Sequence, residues 1–381
     1  MVDQELPNVK DLTEHFADLP DPRSHVNRHH SLVEVIVICV CAVLSGADGP
    51  AAIAMWANLH REWLQEYLKL PHGIPSRDTF RRVLQRLEPQ AFQRCFGAWL
   101  ESLIGAAGAK FLAIDGKTLR RSHDGKKALG ALHMVSVWAT EQQLTLGQIA
   151  TAAKSNEITA IPLVLELVDV KGAIVTIDAM GCQKEIAAEI VAREGDYVLP
   201  VKGNQGNLEA AVQDFIYEHL EDDFARVKVS RLETDERSHG RQEHRTYVQL
   251  DVPESLPGRK NWAGMKTLGL VIRTREIDGK ETGEVQCYIS SLKRNAKRFA
   301  RAVRGHWGIE NTCHWTLDMT FREDESRTRE RNVAENLSWL RRFALGLLKQ
   351  HPNEKMSLVM KRRACGWNTD FLTEVLFGVT D

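Results

Sequence analysis

The stretch Ala173-Ile174-Val175-Thr176-Ile177-Asp178-Ala179-Met180 constrains this chain most. Short, apolar, rich in β-branched residues and preceded by Gly172, it reads as a buried strand. It ends on a bare carboxylate. The segment Cys182 to Ile190 then carries apolar residues at helical spacing, which gives strand, carboxylate, helix. In open α/β sheets, ligands sit beyond the carboxyl ends of the strands. A buried Asp without a partner is costly, so a strand-end Asp caps a helix, pairs or binds a cation. Phe111-Leu112-Ala113-Ile114-Asp115-Gly116-Lys117 has the same shape. Two strands that each deliver a carboxylate to one edge make a place for a hard cation.

The rest of the chain supplies the setting. Residues Val9 to about Ala107 read as mostly helical, with helices over Val33–Leu44 and Ala51–Leu68. Ser76 is a plausible N-cap for a helix from Arg77 to Leu87. That helix, carrying Arg77, Arg81, Arg82 and Arg86, suits either a DNA-reading helix-turn-helix or the surface of a small bundle, the commoner case. Strands are predicted over Phe111–Asp115, His133–Thr140, Leu144–Ala150, Ala173–Asp178 and Tyr197–Val201. A helix Ile158–Leu167 follows the capping stretch Ser155-Asn156-Glu157, and another runs from Asn207 to His219. This is a mixed α/β sheet.

Residues 222–293 alternate like four strands, Val227–Leu232, Glu243–Leu250, Lys266–Thr274 and Glu284–Ser290, and read as a β-rich insertion. The division expected is a helical region 1–107, a catalytic region 108–350 and a tail 351–381. The tail contains a basic patch, Lys361, Arg362 and Arg363.

Within the last helical region, Ala300–Thr320 is the unusual helix. His306, Glu310, His314 and Asp318 recur every four residues on one face, with Trp307, Asn311 and Trp315 beside them. The two histidines are eight residues apart, about 12 Å along a helix, so they do not ligate one ion together. The pattern fits Glu310 as the reactive member. Upstream, Arg294, Lys297, Arg298, Arg301 and Arg304 fall at helical spacing and read either as a stripe for backbone phosphates or as an ordinary solvated face. Three carboxylates brought together repel, and two divalent ions remove the conflict. Oxygen-only ligands suit Mg²⁺ or Mn²⁺.

Net charge is −1 over 381 residues, so any pull toward nucleic acid is local rather than global. Seven scattered cysteines without a C-x-x-C pair point to a reducing compartment. The polar start is not a signal peptide, and Val33–Gly46 is too short to span a bilayer. The expectation is a cytoplasmic protein without a membrane partner.

At these residues the chain resembles bacterial insertion-sequence transposases of the DDE class, closest to the subgroup of the H-repeat-associated proteins. The resemblance is carried by Ile114-Asp115-Gly116-Lys117, Lys154-Ser155-Asn156-Glu157-Ile158, Ile177-Asp178-Ala179-Met180-Gly181-Cys182-Gln183, Val201-Lys202-Gly203-Asn204-Gln205 and His306-Trp307-Gly308-Ile309-Glu310-Asn311. It runs in order from about residue 10 to 350. It implies an RNase H-like catalytic domain with a β-rich insertion, a small helical N-terminal domain, and Asp115, Asp178 and Glu310 as catalytic and metal-binding acids. The implied partner is double-stranded DNA, held by a homodimer near the nucleoid. The broader group often carries Tyr, Arg and Lys around its Glu; Val303, His306 and Leu317 stand at those spacings here.

Lys202 is expected to contact phosphate or to be an ordinary turn lysine in solvent; His306, Trp307, Asn311 and His314 along the stripe are expected to contact DNA, His306 at a phosphate or a flipped base. His239, Arg241 and Arg245 in the insertion are weaker candidates. Two rivals stand against a transposase: a catalytically silent, domesticated DNA-binding protein, and a glycosidase with paired carboxylates.

Overall fold

The computed structural model describes residues 14–24, 26, 28–104, 108, 110–151, 157–238 and 241–378. Nine strands form one mixed sheet: β1 Phe111–Leu119, β2 Leu132–Ala139, β3 Leu144–Thr151, β4 Ile174–Ile177, β5 Asp196–Pro200, β6 Val229–Ser238, β7 Arg241–Asp251, β8 Thr267–Ile277 and β9 Lys280–Ser290. Their order is β3-β2-β1-β4-β5-β9-β8-β7-β6. Only β1–β4 and β4–β5 are parallel. All four strands expected in the insertion form. However, they are not a body apart, because β9 pairs antiparallel with β5 through Val198↔Ser290 and extends the same sheet. The β8–β9 hairpin closes on Asp278-Gly279, both at positive φ (50° and 72°), so both strands run longer than expected.

Helices cover this sheet and supply the parallel connections. Glu157–Leu165 packs on β2 and β3, and Ala296–Gly308 crosses β1, β4, β5, β6 and β7. Of the capping stretch Ser155-Asn156-Glu157, Ser155 and Asn156 fall outside the described residues, as does Lys154 before them. In the 20-residue helix Arg331–Gln350 every residue from Asn336 to Leu348 is buried. It packs against Leu32–Leu44, Arg77–Arg86, Pro89–Ile104 and β3, so one hydrophobic cluster runs from Phe16 through the sheet to Leu376. Phe343 lies 4.2 Å from the Phe96 ring and 4.6 Å from Trp99 at this junction. Each such side chain removed from water contributes about 1.5–3 kcal/mol.

Three further expectations are corrected. The helix read over Ala51–Leu68 is two, Pro50–Leu59 and Arg61–Tyr67, broken at His60. The basic patch of the tail is no patch: Lys361 is buried with Nζ donating to the carbonyls of Leu348 and His351, and Arg362 donates to those of Val43 and Thr320. Ala300–Thr320 is not one regular helix. After Ala296–Gly308 comes a π-helical turn, Ile309–His314, and then Trp315–Met319. Among the described residues no helix is long and apolar enough to cross a membrane.

Candidate active site

Register places the two strand-end acids. On the parallel pair, Ile114 faces Ile177, so Asp115 and Asp178 are the next residues on neighbouring strands, whose backbones lie about 4.8 Å apart. Each anchors one carboxylate oxygen on backbone. Asp115 Oδ1 accepts from Gly116 N at 2.8 Å, and Asp178 Oδ1 accepts from Gly181 N at 3.0 Å, capping the turn Ala179–Gly181. The second oxygen of Asp178 is left for another partner.

Glu310 reaches the same edge from the π-helical turn. A π turn widens the helix by one residue and recurs at functional sites. Here it divides the stripe that ordinary helical spacing would keep together. Glu310, Trp307 and Asn311 line a cavity of about 380 Å³ with Asp178, Lys202 and His306. His314 instead turns inward, with Nδ1 3.4 Å from Asp115 Oδ2. Asp318 turns to Lys117, 2.7 Å away.

The electrostatics tie the three acids together. Burial raises the Asp115 carboxyl to about 7, and the charges of Glu310, Glu157 and Asp178 push in the same direction. Burial and then Asp178 also raise Glu310. Among the described residues, none of the three forms an ion pair with a lysine or arginine. As placed, no three His, Cys, Asp or Glu side chains among the described residues are arranged to hold an ion. The donor chemistry nevertheless fits a hard cation: three sets of carboxylate oxygens, two of the carboxyls held above their ordinary range by burial and by neighbouring acids.

The histidines are not cations. Burial lowers His306 to about 4 and His314 to about 3. Thr176 donates its hydroxyl proton to the Leu112 carbonyl, so its oxygen is left to accept from His306 Nδ1 at 3.2 Å. His306 Nε2 then remains an acceptor. His306 therefore lines the cavity as a neutral hydrogen-bonding group, and His314 lies beside Asp115 rather than on the cavity wall.

The basic stripe is dissolved in the same way. Arg294 precedes the helix and pairs with Asp251, Arg301 pairs with Glu141, and Arg304 binds both oxygens of Glu236 at 2.8 Å. These partners lie on different elements, so the arginines do not face one way. Lys297 and Arg298 are exposed, without an ion pair among the described residues. Arg77 and Arg81 are exposed beside Asp78, on a helix whose other face buries Phe80, Val83 and Leu84. His239 and the Arg241 side chain fall outside the described residues. Arg245 is buried in the cavity wall against Glu236 and Glu243, rather than out on a turn.

Sequence reasoning missed the group behind Asp115. His133 Nε2 lies 3.2 Å from Glu157 Oε2, and Nδ1 lies 2.9 Å from the Thr118 hydroxyl. Both His133 and Glu157 are buried. A methyl at Gly116 would stand 2.3 Å from His133 Nε2 and 2.8 Å from the Glu157 carboxyl, so the glycine after Asp115 makes room for this pair. The one available signal was Glu157 itself, read as a cap residue.

Comparison with known proteins agrees with the geometry. The family described as "Transposase DDE domain" matches residues 106–347, and the one described as "DDE_Tnp_1-associated" matches residues 13–100. The "Putative transposase YncI" of Escherichia coli O157:H7 is 39% identical over 373 residues, spanning 97% of this chain and 95% of that one. The "H repeat-associated putative transposase YhhI" of Escherichia coli K12 is 38% identical over 380 residues, spanning 97% and 98%. The shorter "H repeat-associated putative transposase YbfD" of the same strain is 39% identical over 249 residues, 65% of this chain and 97% of that one. Asp178 and Glu310 on one cavity wall, with Asp115 on the neighbouring strand, thus sit in a chain that belongs to the DDE transposase family, with an H repeat-associated protein among its relatives.

Proposed function

We propose that this protein cuts DNA at the ends of its own insertion element and joins those ends to a target. The observation that supports this most is the meeting of Asp178 and Glu310 at one cavity wall, with Asp115 electrostatically coupled to both. Asp115, Asp178 and Glu310 are the residues that would hold two Mg²⁺ or Mn²⁺ ions. When bound, such ions activate an attacking oxygen and stabilise the leaving one. The reacting group is water in cleavage and the freed 3′-hydroxyl in joining, each attacking phosphorus in line with the bond that breaks.

The protein's own part is to position and to neutralise. Lys202, exposed on the turn after β5 and lining the cavity, would meet a backbone phosphate. Trp307 and Asn311 would bound the bound strand. The β3-β2-β1-β4-β5 half, with only β2 running against the rest, supports an RNase H-like reading of the catalytic domain. Two element ends must meet, so the working form on double-stranded DNA would be a homodimer, acting at the nucleoid.

The test is cleavage of duplex DNA bearing the element ends, with Mg²⁺. Asp178→Asn is expected to abolish nicking while DNA retention on a filter stays near wild type. A variant that still cuts overturns the assignment. A wild type that binds but never cuts favours the silent DNA-binding protein.

A further inference from the structure

We infer that Lys117 is a positioning residue, the strut that sets the Asp115 strand and the Glu310 helix at their working separation. This rests on the reading of Asp115, Asp178 and Glu310 as cation ligands. Residues two apart on a strand share a face, so Lys117 follows Asp115 along the same side of β1. Its side chain is only 7% exposed, and its ammonium lies 2.7 Å from Asp318 and 2.9 Å from Asp324.

Asp318 belongs to the same helical rod as Glu310, eight residues on. His314, between them, stands 3.4 Å from Asp115. Strand and rod therefore meet at two successive positions, Asp115 with His314 and Lys117 with Asp318. Arg120 reaches Asp324 at 3.1 Å from outside, so two cations face two carboxylates and the group is balanced. The far side is anchored too. Glu323, next to Asp324, is wholly buried 3.1 Å from Arg342 on the helix Arg331–Gln350. Burial alone would raise Glu323, but Arg342, Arg341 and Lys117 hold it below the ordinary carboxylate range.

Glu310 sits on the π-helical turn Ile309–His314, and Trp315–Met319 joins that turn to the anchor. A change at the anchor is therefore carried to Glu310 through the one irregular turn of the rod. Replacing Lys117 by an apolar residue leaves Asp318 and Asp324 as like charges with no ammonium between them, and the rod is no longer drawn to β1. Groups behind metal ligands commonly cost about 10–100-fold in metal affinity when removed.

The experiment is a Mn²⁺ titration of the full chain without DNA, followed by electron paramagnetic resonance, with an unfolding curve for every variant. Lys117→Met and Asp318→Asn are each expected to weaken Mn²⁺ binding about tenfold or more. The double variant should be no weaker than the worse single one, because both cut the same strut. Should Lys117→Met fail to fold, Asp318→Asn carries the test alone, since Lys117 keeps Asp324. Unchanged affinity in the single variants, losses that multiply in the double, or losses that only follow the unfolded fraction overturn the strut. Asp178→Asn is run alongside: if it binds Mn²⁺ as wild type does, the three-acid reading fails and the strut falls with it.

Discussion

The two charged regions that the sequence offered have opposite fates in the fold. Arg294, Arg301 and Arg304 found acidic partners on three different elements, Asp251, Glu141 and Glu236. Among the described residues Asp115, Asp178 and Glu310 found no lysine or arginine partner, and Asp115 and Glu310 are held above the ordinary carboxylate range. A paired charge at a sheet rim contributes little and does little. Carboxylates gathered without a counter-charge are a standing cost to the fold, and an incoming cation relieves it. Density of charge in a sequence is therefore a poorer guide to function than charge the fold leaves uncompensated.

That contrast can be broken at several points. The largest effect belongs to the buried pair. Glu323→Ala leaves Arg342 without its carboxylate and should lower stability by about 3–5 kcal/mol, read from urea unfolding. A loss under about 1 kcal/mol would place Glu323 with the rim pairs.

The unpaired acids should show themselves in pH instead. Asp115 is raised in the fold to about 7 from an ordinary 3.8. Between those values the folded state holds a proton that the unfolded state has lost. Without divalent ions, the Asp115 share of stability should then fall as pH rises from about 4 to 7, read as the difference between wild type and Asp115→Asn, because the buried His306 and His314 act the other way. Glu310 and Glu335 are raised as well and act in the same direction, so Asp115→Asn removes only its own share of the slope. Cation binding expels that proton. Mn²⁺ affinity should therefore climb up to about tenfold per pH unit below 7 and level off above it. An affinity flat across that range contradicts the raised carboxyl.

The smallest effect separates the cations. Lys202→Ala should flatten the salt dependence of DNA binding by about one unit of log–log slope. Arg304→Ala should leave that slope alone and change stability by no more than about 1 kcal/mol.

How much of this was legible beforehand follows from which forces are local. The nine strands and both strand-end acids could be read because alternation and β-branched runs are carried by neighbours in sequence. Even there the Asp278-Gly279 turn was underused, and with it the full length of β8 and β9. The split of the Glu310 helix could not be read, since a π-helical turn leaves no mark in side-chain periodicity. Nor could the pairing of Arg301 with Glu141 or Lys117 with Asp318, whose partners lie 160 and 201 residues away in the chain. Glu157 was read as a cap because its partner His133, 24 residues earlier, meets it only once β2 is laid beside β1.

The central claim is that three distant acids form one cation site. A crystal grown with Mn²⁺ and measured for anomalous scattering tests it most directly. The expected result is manganese in bonding contact with carboxylate oxygens of Asp115, Asp178 and Glu310, the side chains drawn in from their present positions. Manganese bound elsewhere on the protein, with those three carboxylates left as they stand, would contradict the account.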